Sequence, residues 1–245
     1  MIQKPGLFFW MNNFNIVFIC TNATFVIKYL IIFNAEGPAR MEKTIPGIIV
    51  GRLPIYLQAL QHLHQQQVQT TSSQELGQII GISAAQIRKD LSQFGEFGKQ
   101  GKGYSVPYLI DQLQAILHVD RVWDMVLVGA GNLGHAIAEY PEFVHHGFRI
   151  SMIFDNDPKR IGTKMGDFVV QDMEKLVPLV QQAGIKVAML TVPARAAQAV
   201  TDDLVSAGIR AILNYAPIIL SVPEGIQVQY IDPIIFLQRM TYYLD

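Results

Sequence analysis

Asp124-Met125-Val126-Leu127-Val128-Gly129-Ala130-Gly131-Asn132-Leu133-Gly134 is an apolar run that turns abruptly glycine-rich. Residues 124–128 read as a buried strand and His135 to His146 as a helix. Phe148 to Phe154 then alternates like a second strand and ends in Asp155. Strand, glycine turn, helix, strand and acidic residue in that order make up a dinucleotide fingerprint. The first glycine permits the tight turn, the second lets the backbone approach a pyrophosphate, and the third lets helix and strand pack closely. Free N–H groups and the positive dipole end at the helix start suit phosphates. Gly129, Ala130, Gly131, Asn132, Leu133 and Gly134 are therefore expected to bind the cofactor. Asp155 is expected to bond the adenosine ribose hydroxyls, favouring NAD(H) over NADP(H). Lys159 and Arg160, just beyond it, are the residues that could instead accept a 2′-phosphate.

Downstream, strands and helices alternate. Phe168–Val170 reads as a short strand, Met173–Gln182 as a helix, and Val187–Val192 as a buried strand. A helix over Ala194–Ser206 and strands over Ile209–Leu213 and Val228–Ile231 follow. Short links between such elements predict an α/β class with a Rossmann-like, doubly wound parallel sheet. Ligands in these sheets lie beyond the carboxyl ends of the strands at the switch point. Thr191, Val192 and Pro193, and Asn214 and Tyr215 before Ala216-Pro217, fall at such ends and are candidates to wall the nicotinamide side. Ordinary loop turns are the other reading. The final segment, Pro233–Leu244, is an apolar helix with little sheet left to cover, which suggests a homodimer interface.

At 245 residues, 50% of them apolar, the chain can bury two cores. A net charge of −1 gives no global sign of a nucleic-acid partner, and the one cysteine, Cys20, excludes an intrachain disulfide and a thiolate cluster. No HExxH pattern or close cluster of His, Asp and Glu suggests a metal. Residues 7–33 are strongly apolar but interrupted by Asn12, Asn13, Asn15, Asn22 and Lys28, so no clean bilayer span emerges. A membrane anchor, a secretory signal and sequence outside the working protein all compete there. Residues 1–40 are expected to be a non-native or disordered extension with the start at Met41, because residue types that A/T-rich codons encode (Phe, Ile, Asn, Lys, Tyr) dominate before it and coherent patterning begins after it. That leaves a soluble chain expected in the cytoplasm, with no membrane role.

Residues 41–120 form a smaller first domain. Leu53, Leu57, Leu60 and Leu63 recur at helical spacing between Arg52 and Gln67. Ser72 with Glu75 is a capping box that opens a second helix, Gly81 ends it, and Ser83 caps a third running Ala84–Phe94. Two short helices across a glycine turn make a helix-turn-helix. Ala84, Ile87, Leu91 and Phe94 fall on the inner face of the third helix. Ala85, Gln86, Lys89, Ser92 and Gln93 fall opposite, with Arg88 on the flank. Amides, hydroxyls and cations on one face suit base edges and phosphates. Gly95–Tyr104 reads as a hairpin wing carrying Lys99 and Lys102. Ser83, Gln86, Arg88, Lys89, Ser92, Lys99, Lys102 and Tyr104 are thus the candidate DNA contacts, although basic and acidic residues balance across 41–120. A protein-interaction domain of the same form stays open on these features.

The combination of Ser72–Gly77, Gln86–Leu91, Phe94–Lys99, Gly101–Tyr104, Gly129–Gly134, Phe154-Asp155, Leu190–Pro193 and Ile212–Pro217 resembles the Rex family of redox-sensing transcriptional repressors. The likeness runs in order from about residue 44 to 245. It implies a winged-helix domain over 41–120, a Rossmann domain binding NADH and NAD⁺ over 121–245, and a homodimer on palindromic operator DNA that NADH releases. It also implies a C-terminal helix exchanged between subunits. Tyr140 and Asp232 match residues that couple cofactor state to domain angle. Some members pair that aspartate with a basic residue in the first helix, where this chain has Gln58; Arg52 lies nearby. A dehydrogenase with a regulatory domain is the rival from another class, with Tyr215 as the nearest candidate acid. A repressor sensing coenzyme A is the rival within the class.

Overall fold

A computed structural model of the protein describes residues 45–99 and 103–244. The expected Met41 start and the segment before it lie outside the described residues, as does Lys102.

The N-terminal lobe begins with α1 (Gly47–Val50) and α2 (Leu53–Gln65), where Pro54 sits in the first turn and costs no hydrogen bond. Strand β1 (Thr70–Thr71) leads to α3 (Ser73–Ile80). Its capping box is formed as the sequence predicts: Glu75 N–H donates to Ser72 Oγ at 3.1 Å and Ser72 N–H to Glu75 Oε2 at 2.7 Å. Gly81, with φ of 71°, closes α3, and Ser83 caps α4 (Ala84–Leu91). The predicted helix to Phe94 stops at Leu91, where the N–H groups of Gln93 and Phe94 turn to the carbonyls three residues back, of Asp90 and Leu91. Strands β2 (Gly98–Lys99) and β3 (Gly103–Ser105) make the wing, with β3 central between β1 and β2 and antiparallel to both. Helix α5 (Val106–Ile116) covers the lobe, and Leu53, Tyr56, Leu60, Leu76, Ile87, Leu109 and Leu113 form its core.

The second lobe opens with β4 (Trp123–Val128), α6 (Asn132–Ala138) and β5 (Phe148–Asp155). The single helix expected over 135–146 is divided. Pro141 lacks the N–H that would continue α6, so the chain turns at Tyr140 and resumes as a 3₁₀ helix over Pro141–His146. After β5 a small hairpin, β6 (Lys164–Met165) with β7 (Phe168–Val169), takes the place of a crossover helix before β8 (Gln171–Asp172). A 3₁₀ turn over Met173–Lys175 leads to α7 (Leu176–Ala183). Then come β9 (Val187–Leu190), α8 (Ala194–Ser206), β10 (Ala211–Asn214), β11 (Gln227–Tyr230) and α9 (Pro233–Thr241).

Six of these strands form one parallel sheet in the order β11-β10-β9-β4-β5-β8. The chain runs outward from β4 on one side and returns to β9 on the other, so the order reverses between β4 and β9. That is the topological switch point of a doubly wound sheet. Both faces are covered, and near-continuous apolar runs such as Met125–Val128 are buried accordingly. Among the described residues no helix is long and apolar enough to cross a membrane.

Candidate functional site

The glycine loop leaves β4 at the switch point. Gly129 has φ of 104°, a conformation costly for any residue with a Cβ, and a Cβ there would lie 2.7 Å from the Thr191 carbonyl oxygen. Gly134 lies against the loop it follows; its Cβ would fall on the Gly129 carbonyl. Gly131 differs from both. A Cβ on it would meet only Arg160 Nη1, at 3.9 Å. Packing thus requires glycine at 129 and 134, whereas at 131 glycine leaves open space before the α6 N-terminus, which no side chain caps. A pyrophosphate would need that space, so the loop fits the phosphates of a dinucleotide. Asn132 and Leu133 are exposed beside it, and Ala130 is buried.

The strand ends around the loop have mixed fates. Thr191 is half-buried, and its hydroxyl lies 2.8 Å from the Gly129 carbonyl oxygen and 3.0 Å from that of Val128. It ties the loop to β9. Asn214 is fully buried: Ala216 N–H donates to its Oδ1 at 2.8 Å, and its amide donates to the carbonyls of Ala216 and Ile218. That side chain shapes the turn after β10. Val192 and Tyr215 are half-buried, Pro193 is exposed, and burial raises the Tyr215 pKa.

Asp155 ends β5 as predicted, but its carboxylate is 5% exposed and already engaged. Oδ2 accepts from Ala130 N–H at 2.6 Å and from Arg160 Nη1 at 3.1 Å, and Oδ1 accepts from Asp157 N–H at 2.8 Å. Burial works against its charge, yet the two backbone donors and the guanidinium outweigh it and hold its pKa below the ordinary value. Arg160 also lies 3.6 Å from Asp157 Oδ2. Of the two cations that could have received a 2′-phosphate, this one is shared by two carboxylates, and Lys159 is exposed. Among the described residues no three His, Cys, Asp or Glu gather as metal ligands.

In the N-terminal lobe α4 carries Ile87 and Leu91 inward, with Ala84 half-buried, and Lys89 and Ser92 outward. Ser83 caps the helix, Ser92 Oγ donates to the Lys89 carbonyl at 2.8 Å, and Arg88 reaches back to Ser73 Oγ at 2.9 Å. Tyr104 is half-buried on β3, and Lys99 stands on β2. Sequence reading missed the centre of this region. Asp90 is fully buried. Its two oxygens accept from Arg52 Nε at 2.6 Å, Arg52 Nη2 at 2.8 Å, Tyr56 Oη at 2.6 Å and Gln86 Nε2 at 2.7 Å. Burial opposes its charge, but those donors prevail and lower its pKa; the Tyr56 hydroxyl, buried and bonded to a carboxylate, is pushed up to about 12. A signal existed: Asp90 falls three residues after Ile87, on the inward face, and an inward charge demands partners. Arg52, noted for its closeness to Gln58, is committed to Asp90. Gln58 itself is exposed on α2.

Tyr140 is exposed, its ring 5.3 Å from that of Phe143, and Asp232 caps α9 through Ile234 N–H at 2.9 Å. Helix α9 has no buried residue: Ile234, Ile235, Phe236, Leu237 and Met240 are all more than half exposed. A groove of about 540 Å³ along α2 is lined by Ile55, Gln58, His62, Ile79, Ile80 and His146 among others.

Residues 120–218 match a family model described as a CoA binding domain, and residues 44–92 match one described as the N-terminus of a putative DNA-binding protein. A redox-sensing transcriptional repressor Rex from Roseiflexus sp. (strain RS-1) is 51% identical over 205 residues, covering 84% of this chain and 93% of that one. The repressor of the same name from Streptomyces coelicolor is 41% identical over 210 residues, 86% of this chain and 81% of its own. The crystal structure of RSP in complex with β-NAD⁺ and operator DNA aligns with a TM-score of 0.77 at 38% identity, over 82% of this chain and 92% of that one. RSP in complex with β-NADH aligns with a TM-score of 0.76 at 36% identity, over 83% and 95%.

Proposed function

The chain belongs to the Rex family of redox-sensing transcriptional repressors, and from that premise we propose how its own residues carry the function. Residues 41–120 bind operator DNA, residues 121–245 bind NADH and NAD⁺, two copies act together, and NADH releases the DNA. The open cradle at Gly131, at the switch point of the parallel sheet, carries this reading furthest. The relatives are named as repressors, and we read this chain as a repressor in the cytoplasm rather than an enzyme.

On the DNA side, Ser83, Gln86, Arg88, Lys89 and Ser92 of α4 face the major groove, while Lys99, Lys102 and Tyr104 belong to a wing that follows the backbone. Lys89 is exposed and takes a phosphate or base edge. On the nucleotide side, Gly129–Gly134 receive the pyrophosphate, and Thr191 and Asn214 hold the walls rather than the ligand. Val192, Pro193 and Tyr215 border the nicotinamide. A ribose hydroxyl seeking Asp155 competes with Arg160 for the same carboxylate. The bound nucleotide supplies a redox-dependent charge, since oxidised and reduced nicotinamide rings differ by one. Apolar Val192 and half-buried Tyr215 disfavour the cationic ring, because desolvating a charge is costly. NADH moves the equilibrium because this pocket binds it more tightly in the DNA-released domain arrangement than in the DNA-bound one.

The bare face of α9 supports a homodimer in which this helix enters the partner, and the α2 groove, with Ile55 and Ile79 exposed, is the surface we assign to receive it. Asp232 at its N-cap and Tyr140 serve the switch. With Gln58 in the groove, Asp232 meets an amide there rather than a cation, and the redox response is accordingly weaker than a salt bridge would give.

The deciding measurement is fluorescence anisotropy of a selected duplex during titration with NADH, with NAD⁺, NADPH and coenzyme A run in parallel. Release by NADH where NAD⁺ leaves the complex intact is expected. Release by coenzyme A alone would assign the crevice to that nucleotide instead, the chemistry after which its family model is named.

A further inference from the structure

Asp90 fills its hydrogen-bonding capacity completely. An ionised carboxylate has about four lone-pair sites, and here each oxygen takes two donors. Oδ2 holds Arg52 Nε and Tyr56 Oη at 2.6 Å each, and Oδ1 holds Arg52 Nη2 at 2.8 Å and Gln86 Nε2 at 2.7 Å. Arg52 binds as a two-pronged fork, and Tyr56 is itself fully buried, so the acceptor cannot rotate. Three of the four donors come from α2 residues or its cap and anchor α4 to the lobe. The fourth belongs to Gln86, which is only half-buried and lies in the first turn of α4. N-terminal residues of such a helix are the ones that meet base edges in the major groove.

The consequence is chemical. A free glutamine amide can flip by 180° and present donor and acceptor in either order. Asp90 accepts only, so the nitrogen of Gln86 must face it and the flip is forbidden. Oε1 and the second N–H of the amide remain for a ligand in a fixed order. Adenine offers the complementary pair, N6–H to donate and N7 to accept. Guanine offers two acceptors, thymine an acceptor and a methyl group, and cytosine a single donor. Resting on the repressor reading above, we propose that Gln86 reads adenine in each operator half-site, with Asp90 as the positioning residue that fixes its amide. Because the rotamer is set before DNA arrives, less ordering entropy is lost on binding.

The test is selection from a randomised duplex library with the full chain, wild type beside Gln86→Met, which keeps the length of the side chain and removes its polar end. Wild type is expected to enrich adenine at one base pair per half-site. In Gln86→Met the preference at that pair alone should fall by about tenfold or more. Unchanged preferences in Gln86→Met, or a base other than adenine at the pair that responds, overturn the proposal and leave the repressor reading standing. Enrichment of no duplex by wild type overturns both. The role of Asp90 is read separately, in ¹⁵N-labelled wild-type protein without DNA. One of the two Gln86 Nε2 protons, the one on Asp90, is expected downfield of its free-amide position and protected from solvent exchange, and two protons at free-amide shifts with fast exchange overturn the pre-organisation.

Discussion

The two lobes differ in where they close. The N-terminal lobe is finished inside one chain: α5 starts with a proline in its first turn and buries Val106, Leu109, Ile110 and Leu113. Helix α9 also starts with proline in its first turn and is also apolar, yet it buries nothing. Even the polar centre of the first lobe, Asp90, has every acceptor site filled from within. The second lobe has a complete sheet core but leaves α9 bare and the space before Gly131 open. Contiguous exposed apolar surface marks an interaction site. Substitutions in the core of the first lobe should therefore cost folding stability, and those on the open features of the second should cost association or binding.

The largest expected effect lies on α9. Leu237→Asp combined with Met240→Asp removes two large apolar side chains from the proposed interface. At about 1.5–3 kcal/mol each, self-association should weaken by about 150-fold or more. Sedimentation velocity across a concentration series checks this, and a dimer that survives would mean α9 is not the interface. Asp90→Ala tests the opposite side of the comparison. It leaves the buried Tyr56 hydroxyl and the half-buried Arg52 without their partner, and losing hydrogen bonds to a charged group should cost about 1.5–3 kcal/mol, read from urea unfolding. A loss below about 1 kcal/mol would show that the first lobe does not depend on this polar centre.

The contrast was only partly legible in the sequence. Periodicity and caps placed α2, α3, α4 and the β4–loop–β5 unit, because Ser72, Gly81, Ser83 and the glycine run each have one local physical reason to be where they are. Helix ends were less legible. Pro141 was in plain view, but the apolar spacing around it hid the break that the missing N–H imposes at Tyr140. The site divides in the same way. Backbone features, such as the loop and the strand ends, could be read off the chain. Side-chain partners could not: Asp155 turning to Ala130 N–H, and Asn214 spending its amide on the 214–218 turn, depend on contacts between segments distant in sequence or folded tightly on themselves. Asp90 was the recoverable omission, since helical phase alone put it inward.

A smaller effect separates the glycines of the loop. Gly134→Ala places a methyl on the Gly129 carbonyl oxygen and should cost about 2 kcal/mol of stability, as overpacking does. Gly131→Ala meets open space, so its stability should stay within about 0.5 kcal/mol of wild type while NADH affinity falls by about tenfold or more. Calorimetric titration and unfolding on the same samples separate the two outcomes. Equal nucleotide affinity in Gly131→Ala would remove the cradle from the site.

A last effect is a pH dependence confined to the closed lobe. The Tyr56 hydroxyl is held protonated in the folded state up to about 12 because it is buried and bonded to Asp90. An unfolded tyrosine titrates near about 10. The folded state binds this proton more tightly, so its contribution is complete below about pH 10 and is lost as pH rises from there toward 12. Lysines and the other tyrosines titrate in the same range, so the informative quantity is the difference from Tyr56→Phe, which has no proton to lose. Urea unfolding from pH 9 to 11.5 should show wild-type stability falling more steeply than that of Tyr56→Phe. Parallel slopes would mean that Tyr56 gives up its proton as easily folded as unfolded, and the polar centre would then be more open to water than its burial implies.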